Sequence, residues 1–489
     1  MTEPIIVWLR NDLRLSDNLA LYQANKKGVP VLLLYVLDDE AAGTWRMGST
    51  SRWWLHYSLE SLKTDLQKLG SDVILRRGST VDVIIEISRQ LGVKEIYCSK
   101  QFEPWARELE QILHQKLEEY GITLNCCAGQ LLHAPGKLCT KIGKSFQVYT
   151  PFLRALTATD IRIPKPAPSN LLKFTRLPQS DTLKDWCLIP IAPDWAGGMR
   201  KAWQPGETGA QKRLNSFLEK SAATYHINRD RPKQPYCTAS TSKLSPHLHF
   251  GEITPAICWH AAKLKAAQDP THSEGLEIFL KELAWREFSY HLIYHSTDLP
   301  AEPFRKRFVS FPWQPPSKVR STQLKAWQQG KTGYPIIDAG LRELWTTGWM
   351  HNRVRMIAAS FLTKHLLIPW QQGQDWFWDC LVDANLASNS ASWQWVSGCG
   401  ADAAPYFRIF NPVIQGQKFD ADGTYVRFWV PEIAKIPNKY IHTPWLCPKH
   451  MLDMYNIKIG VTYPLPIVDH KQARDRALEA YQFLKSTTP

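Results

Sequence analysis

The chain has 489 residues, 44% hydrophobic and 21% charged, which is material for more than one folded core and excludes a disordered polymer. Its net charge of +14, from 59 Lys and Arg against 45 Asp and Glu, favours a polyanionic partner, with nucleic acid first. Ten cysteines without a CxxC pair spell out neither a zinc ribbon nor an iron–sulfur set, and the longest strongly apolar run, VLLLYVL, is too short to cross a bilayer.

The opening MTEPIIVWLRND carries charges where a signal peptide needs an apolar core, and scattered cysteines suit a reducing compartment. A cytoplasmic protein is expected. The first 130 residues alternate apolar runs with amphipathic stretches. PIIVWL (4–9), VPVLLLYVL (29–37), SDVILRR (71–77), KEIYCS (94–99) and ITLNCC (122–127) read as strands. SRWWLHYSLESLKTDLQKLG and PWARELEQILHQKLEEYG read as helices between them. Near-continuous apolar strands separated by helices predict a five-stranded parallel, Rossmann-like sheet covered on both faces, an α/β domain over 1–130. No GxGxxG follows the first strand, so no dinucleotide fingerprint is present. Residues 131–205 read as a connector, proline-rich and aperiodic from 162 to 204, wrapped over the surface. Residues 206–489 form an expected all-α domain, with helical patterns at 275–294 and 334–367. Twelve of the 21 tryptophans lie after residue 280, within this half.

Four stretches carry chemistry. In FLKELAWREFSYH, Glu282, Trp285 and Arg286 share one helix face, which spacing alone favours as a solvated face with one buried indole. In TGWMHNRVRMIAASFLTKHLLIPW, Trp349, Asn352, Arg353 and Met356 fall at 0, 3, 4 and 7, a face too mixed for core or for solvent. It reads as a pocket floor, the alternative being Met356 in a core and the arginines in water. Arg355 lies about 200° round the helix from Arg353 and points elsewhere. In LVDANLASNSASWQW, Asp383, Asn385 and Asn389 make either a solvated face or, if buried, hydrogen-bonding partners for a polar heteroaromatic ring, with Asp383 placed to neutralise Arg355. In the stretch from 225 to 251, Thr241, Ser242 and Ser245 precede Pro246 in a turn suited to phosphate. His247 and His249 form an HxH pair without a third ligand at metal-like spacing, so no metal site is expected. GCGADA at 398–403 mimics GxGxxA without the strand–turn–helix setting.

WLRNDLRLSDN, SRWWLHYSL, TSKLSPHLHFGEI, ELAWREF, KTGYPIIDAGLREL, TGWMHNRVRM, DANLASNSASWQW and YFRIFNP together resemble the photolyase/cryptochrome family over essentially the whole chain. Within it the chain is similar to bacterial cyclobutane pyrimidine dimer photolyases, of a class III-like branch close to plant cryptochromes. The resemblance implies an FAD folded into a U in the helical domain. Tyr225, the turn of Thr241, Ser242, Lys243, Leu244 and Ser245, Phe279, Glu282 and Arg286 would hold it. Arg355, Asp383, Asn385 and Asn389 would line the isoalloxazine edge, Asn389 facing N5. Relatives often carry an acid where Asn385 stands. Glu282, Trp285, Asn352, Met356 and Trp395 would form the lesion pocket, with Arg229 and Arg353 on flanking DNA phosphates. Met356 replaces a histidine found in (6–4) photolyases, which argues for the cyclobutane lesion. Trp393 and Trp395, about 200° apart if helical, would serve opposite sides. Trp393 would begin an electron relay through Trp370 to Trp313, with Trp376 or Trp378 as a branch.

The implied activity is that of a deoxyribodipyrimidine photo-lyase: an electron from photoexcited reduced FAD splits the dimer and returns, with no net redox change. Damaged DNA is the implied partner of a monomer that does not engage membranes. An antenna chromophore is also implied. Phe102 and Trp105 stand where relatives have polar ligands, and Trp105 suits a stacked pterin, hence methenyltetrahydrofolate, with an 8-hydroxy-deazaflavin as the alternative. The rival function is a cryptochrome-type blue-light photoreceptor, which usually carries an acid at the position of Asn389 in plants. An ordinary flavin oxidoreductase lacks its nicotinamide fingerprint here.

Overall fold

The structure, a computed structural model, describes residues 3–232, 240–403 and 407–487, with Thr487 described by its backbone alone. Cys237 and Tyr406 of the YFRIFNP motif lie outside the described residues. Strands β1 (Ile5–Leu9), β2 (Val31–Leu37), β3 (Val73–Arg77), β4 (Glu95–Ser99) and β5 (Thr123–Cys127) form one sheet in the order β3-β2-β1-β4-β5, all parallel. Parallel neighbours need a crossover, and helices supply it. Because side chains alternate along a strand, each strand feeds two cores. Val7 and Leu33 pack with Trp53, Trp54 and Leu59 of the helix Ser49–Lys68. Ile6 and Leu34 pack with Ile84 and Ile87 of the helix Thr80–Leu91 and Leu113 of the helix Pro104–Glu118.

The connector is more ordered than its composition implies, since the helix Tyr149–Thr157 precedes its proline-rich part and Gly197–Ala202 ends it. Between them the chain runs along the free edge of β3. There Leu75 donates its N–H to Ser180 Oγ at 3.0 Å and accepts from the Asp181 N–H at 2.7 Å. Leu171, Trp186 and Leu188 bury their side chains in the sheet's core beside it.

The second domain is helical and built on two cores. One gathers around the helix Ser273–His295, the other around Pro335–Thr347, Asn352–Ser360, Trp370–Cys380 and His470–Thr487. The helix Leu386–Ser397 wedges between them, giving Leu386 and Ala387 to one and Trp393 and Val396 to the other. The single helical pattern expected over 334–367 is interrupted. Gly348 caps the first helix in the left-handed region at φ 69°, the next begins at Asn352, and a π-turn at Phe361–His365 follows. Trp349 therefore does not share a helix face with Asn352, Arg353 and Met356.

Candidate active site

The N-terminal end of the helix Leu386–Ser397 gathers the polar residues that the sequence left ambiguous. Asn385 is its cap: Oδ1 accepts from the Ser388 N–H at 3.0 Å, and Nδ2 donates to the Tyr290 hydroxyl at 2.7 Å. One turn on, Asn389 Nδ2 donates to the Gln374 carbonyl at 3.1 Å. Asp383 receives Arg355 Nη2 at 2.9 and 3.1 Å, while Arg355 Nε holds the Met350 carbonyl at 2.7 Å. Asp383, Asn385 and Asn389 are 8%, 7% and 8% exposed, which rules out a solvated face. Among the described residues, the buried polar atoms nearby that lack partners include Gln374 Oε1, Ser390 Oγ and His249 Nδ1. His249 lies in the fields of Asp383 and Arg286, and burial pulls its pKa down to about 4, so it is neutral at pH 7. Unpartnered donors and acceptors around a partly buried ion pair fit the edge of a polar heteroaromatic ring such as a flavin.

The turn at 241–245 offers an anion-binding set. Lys243 occupies the left-handed region at φ 49°, and Leu244 anchors the turn in the core. The Lys243 ammonium sits 4.9 Å from the Trp349 ring centroid, and burial lowers its pKa. Trp349 Nε1 donates to Ser245 Oγ at 3.3 Å, so this indole braces the turn instead of flooring a pocket. Beneath it, His247 hydrogen-bonds Glu252, which also accepts from Trp54 Nε1 at 2.9 Å and ties the turn to the α/β domain. Tyr225 and Phe279 are buried, ring to ring at 6.4 Å. Arg286 is held by Glu287 at 3.2 Å and by the Gln130 and Leu248 carbonyls, which makes it a strut between domains.

On the other side lies an alternating charge network. Arg229 pairs with Glu282 at 2.5 Å and approaches Asp230 at 3.9 Å, while Asp230 pairs with Arg353 at 2.7 Å. Burial pushes the Glu282 carboxyl up and Arg229 pulls it back. Arg353 also lies 4.7 Å over the Phe419 ring. Trp285 stacks on Tyr149 at 3.6 Å and 6°. The Tyr149 hydroxyl donates to the Lys281 carbonyl at 2.7 Å, and its backbone N–H reaches Asp402 Oδ2 at 3.4 Å. Trp395, half-buried, donates Nε1 to the Asp402 carbonyl at 3.2 Å. Tyr149 and Asp402 thus join Trp285 and Trp395, and neither carries a signal in sequence. Asn352 is exposed at the start of its helix, with Met356 half-buried one turn later.

Trp393 points the opposite way from Trp395 into the core. A Cβ on Gly373 would come within 2.1 Å of its six-membered ring, and Phe377 and Trp327 lie at 5.0 and 6.3 Å. Trp370, buried, begins the helix that carries Gly373. Trp313 is half-buried, 4.5 Å from Phe311. Trp376 stacks on the exposed Trp345 at 5.7 Å, and Trp378 lies edge-on to Trp45.

Between the two domains opens a cavity of about 1000 Å³ lined by Trp45, Lys100, Trp105, Glu108, His114 and Tyr294. Phe102 instead faces inward, against Tyr290 and Tyr294 at 6.4 and 6.3 Å. Among the described residues no helix is long and apolar enough to cross a membrane.

A parallel α/β domain joined to a helical domain with this polar cradle defines a two-domain flavin-binding protein. Residues 5–169 match the DNA photolyase family and residues 279–483 the FAD binding domain of DNA photolyase. The chain is 46% identical to the deoxyribodipyrimidine photo-lyase of Agrobacterium fabrum, over 100% of this chain and 99% of that protein. It is 34% identical to cryptochrome-1 of Arabidopsis thaliana, over 97% of this chain and 70% of the plant protein. The crystal structure of a bacterial class III photolyase from Agrobacterium tumefaciens superposes with a TM-score of 0.94, covering 100% and 98% of the two chains at 46% identity. This chain belongs to the photolyase/cryptochrome family.

Proposed function

We propose that the protein is a light-driven DNA repair enzyme, a deoxyribodipyrimidine photo-lyase that splits cyclobutane pyrimidine dimers with FAD. The observation that carries this reading is the helix Leu386–Ser397. It turns Trp393 inward against Gly373 and Phe377, sets Asn389 at the Gln374 carbonyl and sends Trp395 the other way to the Asp402 carbonyl, in a chain similar to a photo-lyase end to end. A pyrimidine dimer must leave the duplex to be reached, which costs a few kcal/mol. Trp285 and Trp395 offer flat faces whose stacking contributes about 1–3 kcal/mol per base. Arg229 and Arg353 exchange carboxylate partners for DNA phosphates as the strand seats. Glu282, released from Arg229 and with its carboxyl pushed up by burial, can then donate or accept a hydrogen bond at the dimer. The Arg355–Asp383 pair would keep the ring edge neutral overall, and Lys243 would offset the charge of the cofactor's phosphates while the turn hydroxyls hydrogen-bond them. Bound FAD supplies the photoexcited electron donor.

We also propose methenyltetrahydrofolate as a second chromophore in the interdomain cavity, where Trp105 offers a stacking face and Glu108 a carboxylate for a cationic pterin. We further propose that the protein acts as a cytoplasmic monomer on damaged DNA. The test is purified protein with a thymine dimer oligonucleotide, in light and in darkness. Splitting in light alone, by protein that holds FAD, is the expected result. Light absorption by bound FAD without splitting would favour the photoreceptor reading. Asp383→Ala should release FAD, because it leaves the half-buried Arg355 charge without its carboxylate.

A further inference from the structure

Asn385 stands where relatives often carry an acid, and the structure gives the amide a set of partners that an acid could not share. Its Oδ1 is held by the Ser388 N–H at 3.0 Å and its Nδ2 by the Tyr290 oxygen at 2.7 Å. Tyr290 donates its hydroxyl proton to Glu103 Oε1 at 3.2 Å, and Glu103 Oε2 accepts from the Phe102 N–H at 3.2 Å. Glu103, Tyr290 and Asn385 are all buried. We infer that Tyr290 and Glu103 are positioning residues that lock the Asn385 amide, so that the flavin edge meets a fixed N–H donor and no formal charge. The inference rests on the FAD reading above and adds the group that sets the ring-edge hydrogen bonding.

The polarity of the chain follows from the donor inventory. A carboxylate accepts only, so Glu103 draws the phenol proton to itself and leaves the phenol oxygen to accept. That oxygen selects the amide nitrogen of Asn385, and the helix N-terminus, which offers only N–H groups, selects the amide oxygen. Both ends therefore specify the same orientation. Asn385 retains one N–H and one lone pair outside the chain. An aspartate at 385 would compete with Glu103 for the single phenol proton and would put a negative charge at the ring edge. The carboxylate is here moved two hydrogen bonds away, to the residue that precedes the helix Pro104–Glu118 of the α/β domain. A neutral donor favours the electron-rich reduced ring more than a carboxylate does.

The test is spectroelectrochemistry of bound FAD in the full-length holoenzyme. Tyr290→Phe should retain FAD with less than a tenfold loss of affinity and should lower the midpoint potential in the same direction as Asn385→Ala. The Tyr290→Phe/Asn385→Ala double variant should shift no further than Asn385→Ala alone, because the lock acts only through that amide. Glu103→Gln, nearly equal in volume, can offer an N–H to the phenol and should reproduce part of the shift. A potential unmoved in Tyr290→Phe, or shifts that add in the double variant, would overturn the lock. If Tyr290→Phe does not fold, an unmoved potential in Glu103→Gln overturns it equally. Wild-type protein that holds no FAD or fails to split dimers defeats the photolyase reading. Wild-type protein that does both, with variants of unchanged potential, defeats the lock alone.

Discussion

Arg353, proposed above as a DNA phosphate contact, is already paired, its Nη2 2.7 Å from Asp230. Each phosphate contact released into salt contributes about one unit to the slope of log affinity against log salt. Arg353→Ala should therefore weaken lesion binding and flatten that slope by about one unit. Asp230→Asn should act oppositely, tightening binding at low salt because Arg353 no longer has a competing carboxylate. Binding isotherms across a salt series check both, and an unchanged slope in Arg353→Ala would remove this side chain from the phosphate contacts. The neighbouring His351 makes a pH prediction. Its Nδ1 accepts from the Arg353 N–H at 3.2 Å, and burial pulls its pKa from 6.5 to about 3. Between those values the unfolded chain binds the proton and the folded one does not, so this contribution to stability is present above pH 6.5 and is lost as pH falls toward 3. His351→Asn keeps an acceptor at the helix cap and removes the titration. Its loss of stability with acid should be shallower by about 1.4 kcal/mol per pH unit at most, measured by denaturant melts from pH 4 to 7.

The helix Leu386–Ser397 concentrates the predictions at the next scale, because its two indoles lie against different partners and are proposed to have separate tasks. Trp393→Phe keeps an aromatic ring against Gly373 and Phe377 but is much harder to oxidise. FAD should stay bound and photoreduction should fail, while enzyme reduced chemically beforehand should split dimers at near wild-type yield. Trp395→Ala should do the reverse, photoreducing normally while binding the lesion about 1–3 kcal/mol more weakly. If Trp393→Phe photoreduces normally, the electrons take another route, and Trp376 with its stacked partner Trp345 is the next candidate. Gly373→Ala should cost about 1–3 kcal/mol in a thermal or denaturant melt, since its methyl must displace the Trp393 ring. The opposed directions of Trp393 and Trp395 were legible in sequence because two residues on one helix differ by about 200°. Trp349 was not, because the apolar residues on both sides of Gly348 continue a helical period across a break that one left-handed residue makes. Tyr149 was beyond sequence reasoning altogether. It reaches Trp285 from a connector helix more than a hundred positions earlier in the chain, and no local pattern records that contact.

Across the whole molecule, β1 and β2 were readable because strands buried on both faces need continuous apolar runs, while the edge strand β5 buries only Leu124 fully. The buried amides of the cradle were only half legible. Asp383, Asn385 and Asn389 could be found as polar residues in an apolar setting, but burial decides between solvent and cofactor, and burial belongs to tertiary packing. Tyr290 and Glu103 had no sequence signal, since one looks like core and the other like helix surface. The connector was recognised by its prolines but not by its contacts with Leu75.

Those contacts bear on synthesis. A parallel sheet can assemble on the ribosome once β5 has emerged, yet at that moment β3 still presents bare N–H and C=O groups to any other nascent chain. Ser180 and Asp181, the residues that occupy them, are translated more than fifty positions later. Chains truncated after Thr157 should therefore associate edge to edge, and chains truncated after Trp203, which carry their own cover, should stay dispersed. Light scattering of the two fragments during translation in vitro would show whether this proline-rich strip acts as the sheet's built-in chaperone.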